Sequence, residues 1–143
     1  MTKEKFIYRS ARLAGILLML AAVLHASWGT AEIVMAIKTE DIRPTMVDSV
    51  KNVWLYSSIM LFLSGIWVLF IARDLRRLQR RAWWQAVFIG LGYTGGSIAA
   101  IAWTRVQVHL IAFAAIGLLL LFPALLFVGS FRSSPANDSN GLT

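Results

Sequence analysis

The sequence predicts an all-α integral membrane protein: a four-helix up-down-up-down bundle with both termini in the cytoplasm. Three observations lead there. First, 58% of the 143 residues are hydrophobic and the mean hydropathy is +0.67, more apolar surface than a soluble domain of this size can cover with polar groups. Second, the charged residues are only 15% of the chain and lie in clusters. The apolar stretches between them are about 20 residues long, which as helix crosses about 30 Å of hydrocarbon. Third, ten of the 14 Lys and Arg residues fall in the N-terminal tail, the middle loop and the C-terminal tail. Lys and Arg mark the cytoplasmic side of a membrane protein, so this bias sets the orientation.

Lys3, Lys5, Arg9 and Arg12 precede the first predicted span, residues 13–37. A basic start running into an apolar stretch resembles a signal peptide. The stretch is about twice the usual hydrophobic length, however, and no Ala-x-Ala cleavage site precedes a soluble domain, so it is read as a retained first helix. The loop that follows holds Lys38, Glu40, Asp41, Arg43 and Asp48, with Pro44 expected to bar a regular helix there. Further spans are expected over residues 50–72, 82–104 and 106–128. A lone turn at Arg105 links the last two and forces them to be antiparallel neighbours. Together residues 1–130 form one four-helix domain, and residues 131–143, rich in Ser, Asn and Pro, form a disordered cytoplasmic tail. In hydrocarbon every backbone polar group must be satisfied within the span, which makes each span helical.

The net charge of +7 and the pI near 10.6 would suggest nucleic acid for a soluble protein. Here they are read as topology and attraction to anionic lipid, with no nucleic acid partner. Arg73, Arg76, Arg77, Arg80 and Arg81 form a cationic patch for lipid headgroups, and Trp83, Trp84 and Phe131 are interfacial anchors. The absence of cysteine excludes disulfides, thiolate metal sites, CxxCH haem attachment and cysteine nucleophiles. The chain has no Gly-x-Ser-x-Gly, Ser-x-x-Lys or HExxH pattern, so no catalytic residue is assigned and enzymatic activity is not expected.

Two features carry the functional reading. His25 lies near the middle of the first span, and Glu32, seven residues on, is expected on the same helical face. An ionisable group inside a membrane span usually faces the bundle or a water-filled cavity and marks a site; the alternative is polar glue between helices. Asn52, Tyr93, Arg105 and His109 are the other ligand or proton-binding candidates. Most of these converge on the outer mouth, where Glu32 would pair with Arg105 or His109. The same groups also fit an interfacial polar and aromatic belt. His25 and His109 raise haem, but a rise of 1.5 Å per residue sets them about 10 Å apart in depth, so neither metal nor cofactor is assigned. The second feature is Gly92 and Gly96, a GxxxG step extended to Ala100. Small residues at this spacing let helices approach closely; alternatively they leave a thinned wall lined by Tyr93 and Thr94. Pro123 is expected to kink the fourth span.

The Arg12-Leu13-x-Gly15 opening, the Leu24-His25 step and Gly29, together with Trp54, Ser58 and Gly65, resemble the DoxX-like and related families of small bacterial four-helix membrane proteins. The resemblance implies a four-helix membrane bundle and no particular biochemistry. The leading expectation is therefore an inner-membrane accessory or interaction protein, as a homodimer or with a membrane partner. Its alternatives are a carrier for a small lipophilic or protonatable ligand using His25, and a haem- or quinone-binding redox protein.

Overall fold

The computed structural model describes residues 2–39, 44–104 and 107–132, and all its regular structure is helical. Four helices are long and apolar enough to cross a membrane.

The first is continuous through α1 (Lys3–Leu24), a π-helical turn (His25–Gly29) and α2 (Thr30–Thr39). It begins well before the predicted residue 13. Ile7, Ala11, Ala14, Leu18 and Ala22 recur every three or four positions and are all buried, so the packing stripe carries the helix back toward the N-terminus. Glu4 in the first turn also complements the positive end of the helix dipole.

The second long helix, α3 (Pro44–Arg76), also outruns the predicted residues 50–72. Pro44 is the first described residue of this helix, so it does not bar helix there. Glu40, Asp41 and Arg43 lie outside the described residues. At the other end Leu78 takes a left-handed φ of 56°. Gln79 N–H donates to the Asp74 carbonyl (3.1 Å) and Leu78 N–H to that of Leu75 (3.0 Å), the Schellman arrangement that closes helix ends. Glycine is the usual residue there. Leucine stands at this position and packs its side chain against the core.

The remaining helices are α4 (Arg80–Trp103), α5 (Val108–Leu126) and the short α6 (Val128–Arg132). Arg105, the predicted turn, lies outside the described residues. The tail expected to be disordered from residue 131 is helical to Arg132, and Phe131 is 2% exposed. Phe131 is therefore a core residue, 6.3 Å from the Trp83 ring, and not an interfacial anchor. Residues 133–143 lie outside the described ones. Pro123 is accommodated inside α5 and buried, and beside it the Trp83 indole donates to the Ala124 carbonyl at 2.7 Å.

α1 packs on both α3 and α5, and α4 packs on α5. Along α1 and α3 the contacts run Gly15 with Gly65, His25 with Ser58, and Gly29 with Trp54, one series rising as the other falls. Along α4 and α5 they run Trp83 with Ala124, Gly90 with Gly117, and Thr94 with Ala114. Both pairs are closest at glycines. A Cβ on Gly65 would stand 2.8 Å from the Gly15 carbonyl oxygen, and one on Gly117 2.8 Å from that of Gly90. Only hydrogen fits at such a backbone approach.

Most of the apolar surface points outward. No more than 33% of the most apolar window of any long helix is buried, and Phe70, Phe88, Trp103 and Val108 are among the exposed side chains. Helices that are apolar on their outer faces as well as their inner ones suit a hydrocarbon surround.

Candidate functional site

The most unusual local structure lies where the sequence drew attention, around His25. A π turn packs more residues per revolution than an α turn and commonly marks a functional position. Its widened ladder leaves backbone carbonyls in need of donors. Side chains supply several: Ser27 Oγ donates to the Val23 carbonyl at 2.8 Å, Thr30 Oγ1 to the Ala26 carbonyl, and Trp54 Nε1, from α3, to the His25 carbonyl at 2.8 Å.

The imidazole of His25 is held just as closely. It lies flat on the Trp54 ring, with centroids 3.7 Å apart and planes 10° from parallel. Its Nδ1 is 2.9 Å from Ser58 Oγ, and Ser58 donates to the Trp54 carbonyl at 3.0 Å. A serine hydroxyl has a single proton. With that proton on the Trp54 carbonyl, Ser58 Oγ is left to accept from the Nδ1–H of His25. Gly29 makes the clasp possible, because a Cβ there would overlap the Trp54 indole.

The other candidates do not gather as expected. Glu32 is exposed and accepts from Trp28 Nε1 at 2.8 Å, one turn earlier. The π turn lies between His25 and Glu32 and rotates the later residue off the face that a regular helix would give it. His109 is exposed and meets Phe113 edge-on at 6.3 Å, within electrostatic reach of His25. Asn52 is exposed. Tyr93 is half-buried on α4, and its ring lies 6.3 Å from Phe113. Arg105 lies outside the described residues. Thr94 is buried, its hydroxyl donating to the Ala114 carbonyl at 3.4 Å, so it packs against α5 and lines no thinned wall. Among the described residues no three His, Asp or Glu side chains are close enough to hold a metal ion.

A groove of ≈ 240 Å³ adjoins the clasp and shares Trp54 and Ser58 with it. Lys51, Thr30 and Leu55 also line it; Glu32, His109 and Tyr93 do not. It is mostly apolar, with one ammonium, that of Lys51, at its wall.

The second feature is the glycine-rich face. Gly92, Gly95 and Gly96 have no neighbour within 4 Å of where a Cβ would stand. Within the chain, close helix packing is made by Gly15 with Gly65 and by Gly90 with Gly117, and the Gly92 and Gly96 face is left open. Trp54, Ser58 and Gly15, which the functional reading had not singled out, are the residues that matter between α1 and α3.

No protein-family model, curated protein or solved structure matches this chain. The site therefore has to be read from its own geometry.

Proposed function

We propose that this chain is a multi-pass protein of the plasma (inner) membrane, an up-down-up-down bundle with both termini cytoplasmic. It acts as an accessory or interaction protein without catalytic activity of its own. Several contacts support the topology. Lys3 Nζ donates to Ser130 Oγ at 3.1 Å, and the Phe6 and Phe127 rings lie 6.2 Å apart. The Arg76 guanidinium lies 5.6 Å from the Tyr8 ring. These contacts bring both ends of the helical region and the loop after α3 to one end of the bundle, the end where the Lys and Arg residues concentrate. The layout is also the one implied by the resemblance to DoxX-like families.

The observation that carries the interaction reading is the open space at Gly92 and Gly96. In lipid a smooth small-residue face gains little by itself, but it lets a second helix approach closely. The partner is a second copy or another membrane protein. Gly92→Leu/Gly96→Leu should not lower folding or thermal stability, because a Cβ at either position meets nothing within the chain, yet should abolish lateral association in native mass spectrometry or cross-linking. A wild-type chain that associates with nothing, or a double variant that associates like wild type, rejects the reading.

A second reading, a carrier or binding protein for a small lipophilic ligand, is favoured by the groove sharing Trp54 and Ser58 with the His25 clasp. It predicts pH-dependent binding or transport that His25→Ala abolishes and Gly92→Ala does not. Full pH dependence in the His25 variant counts against it.

A further inference from the structure

The arginines at the charged end of the bundle are not equivalent. Arg12 of α1 and Arg76 of α3 flank the same half-buried ring: their guanidinium carbons lie 5.5 Å and 5.6 Å from the Tyr8 centroid. Each gains a cation–π contact, but two like charges gathered at one ring repel. An anion bound beside them relieves that repulsion. Arg73 stands one turn along α3 from Arg76 and borders a groove of ≈ 310 Å³ whose other walls include Met19, Ile66 and Phe70.

The direction of this groove follows from helical spacing. Met19 lies two turns beyond Arg12 on one face of α1, and Ile66 two turns before Arg73 on one face of α3. Starting at Arg73, the one arginine in its wall, the groove therefore runs along the α1–α3 junction for about 10 Å toward the middle of the spans, at 1.5 Å per residue; Arg76 stands one turn beyond its mouth. It is cationic at its mouth and apolar along its length. That is the complement of an amphiphile with an anionic head and a hydrocarbon tail.

We propose that the α1–α3 junction binds one anionic phospholipid, its phosphate held by Arg73, Arg76 and Arg12 and one acyl chain lying along Met19 and Phe70. The site rests on the membrane-spanning reading but not on lateral association through α4. It differs from general attraction to an anionic leaflet, to which all exposed arginines contribute alike. Guanidinium favours phosphate through paired, charge-assisted hydrogen bonds, whereas a zwitterionic lipid brings its own ammonium toward the same cations.

The test uses the purified full chain in a nonionic detergent, titrated with phosphatidylglycerol, phosphatidylcholine or glycerol phosphate and read by native mass spectrometry and thermal shift. Phosphatidylglycerol should form a one-to-one adduct and raise the melting temperature; glycerol phosphate should do neither. Phosphatidylcholine should bind at least about tenfold more weakly, and Arg73→Gln/Arg76→Gln should weaken phosphatidylglycerol by about tenfold or more. Arg80→Gln/Arg81→Gln, an equal loss of charge away from the junction, should stay within about twofold of wild type. Equal weakening by the two double variants overturns the proposal, as does equal binding of the two lipids. Stabilisation by glycerol phosphate matching that by the intact lipid also overturns it, since the groove would then contribute nothing. The comparison among these three ligands on the wild-type chain decides the matter even if an arginine variant folds poorly.

Discussion

Gly117→Leu should cost about 3 kcal/mol, the upper end of what overpacking a well-packed interface does, whereas Gly92→Leu should leave stability unchanged. The two glycines belong to the same helix pair, and hydropathy does not distinguish them. What separates them is what a Cβ would meet. At Gly117 it stands 2.7 Å from the Thr94 backbone nitrogen and 2.8 Å from the Gly90 carbonyl oxygen, and it also presses on the Thr94 hydroxyl. Backbone atoms of a hydrogen-bonded helix cannot turn aside as a flexible side chain does. α4 and α5 would have to separate, losing the Thr94–Ala114 and Trp83–Ala124 hydrogen bonds together. At Gly92 the Cβ meets nothing. Reversible denaturation of both variants in detergent measures the difference. A Gly117→Leu chain within about 0.5 kcal/mol of wild type, the scatter of ordinary surface changes, would show that the helices do not approach so closely.

The same contrast explains how much the sequence could reveal. The four spans were legible because about 20 apolar residues in a row have few other uses. Their ends were less so. Hydropathy marks where hydrocarbon stops, while helices continue as long as packing favours them: Ile7 and Ala11 extend α1, and α3 already includes Pro44. The glycines that pack within the chain are hard to read from sequence for a further reason. In a soluble helix the polar face tells inside from outside. In a helix apolar on every side that signal is lost, and the densest glycine cluster, at Gly92 to Gly96, proved to be the outward one. His25 was legible as a residue out of place in hydrocarbon. Its partners were not, because Trp54 and Ser58 lie on another helix and the π turn breaks the seven-residue spacing on which the pairing with Glu32 depended.

The clasp around His25 makes a second large effect predictable, and it is one of coupling. Gly29→Leu drives a side chain into the Trp54 indole. That ring is fixed by its stack on His25 and its bond to the His25 carbonyl, so it cannot shift without losing both. A loss of about 2–3 kcal/mol is expected, in the overpacking range. Trp54→Ala removes the same ring, the stack and the donor, for a loss of about 3 kcal/mol. The combined variant should be less damaged than the two losses added, by at least about 1 kcal/mol, because the leucine then occupies the space the indole has left. Trp54→Phe separates the contributions in part: it keeps an aromatic face for His25 but gives up the hydrogen bond and the pyrrole half of the ring, for a loss of about 1–2 kcal/mol. Denaturation of the four chains in one detergent closes the cycle. Strict additivity of Gly29→Leu and Trp54→Ala would mean that the two residues do not share this space. His25 would then be held by Ser58 alone, and the π turn would need another cause than the ring seated against it.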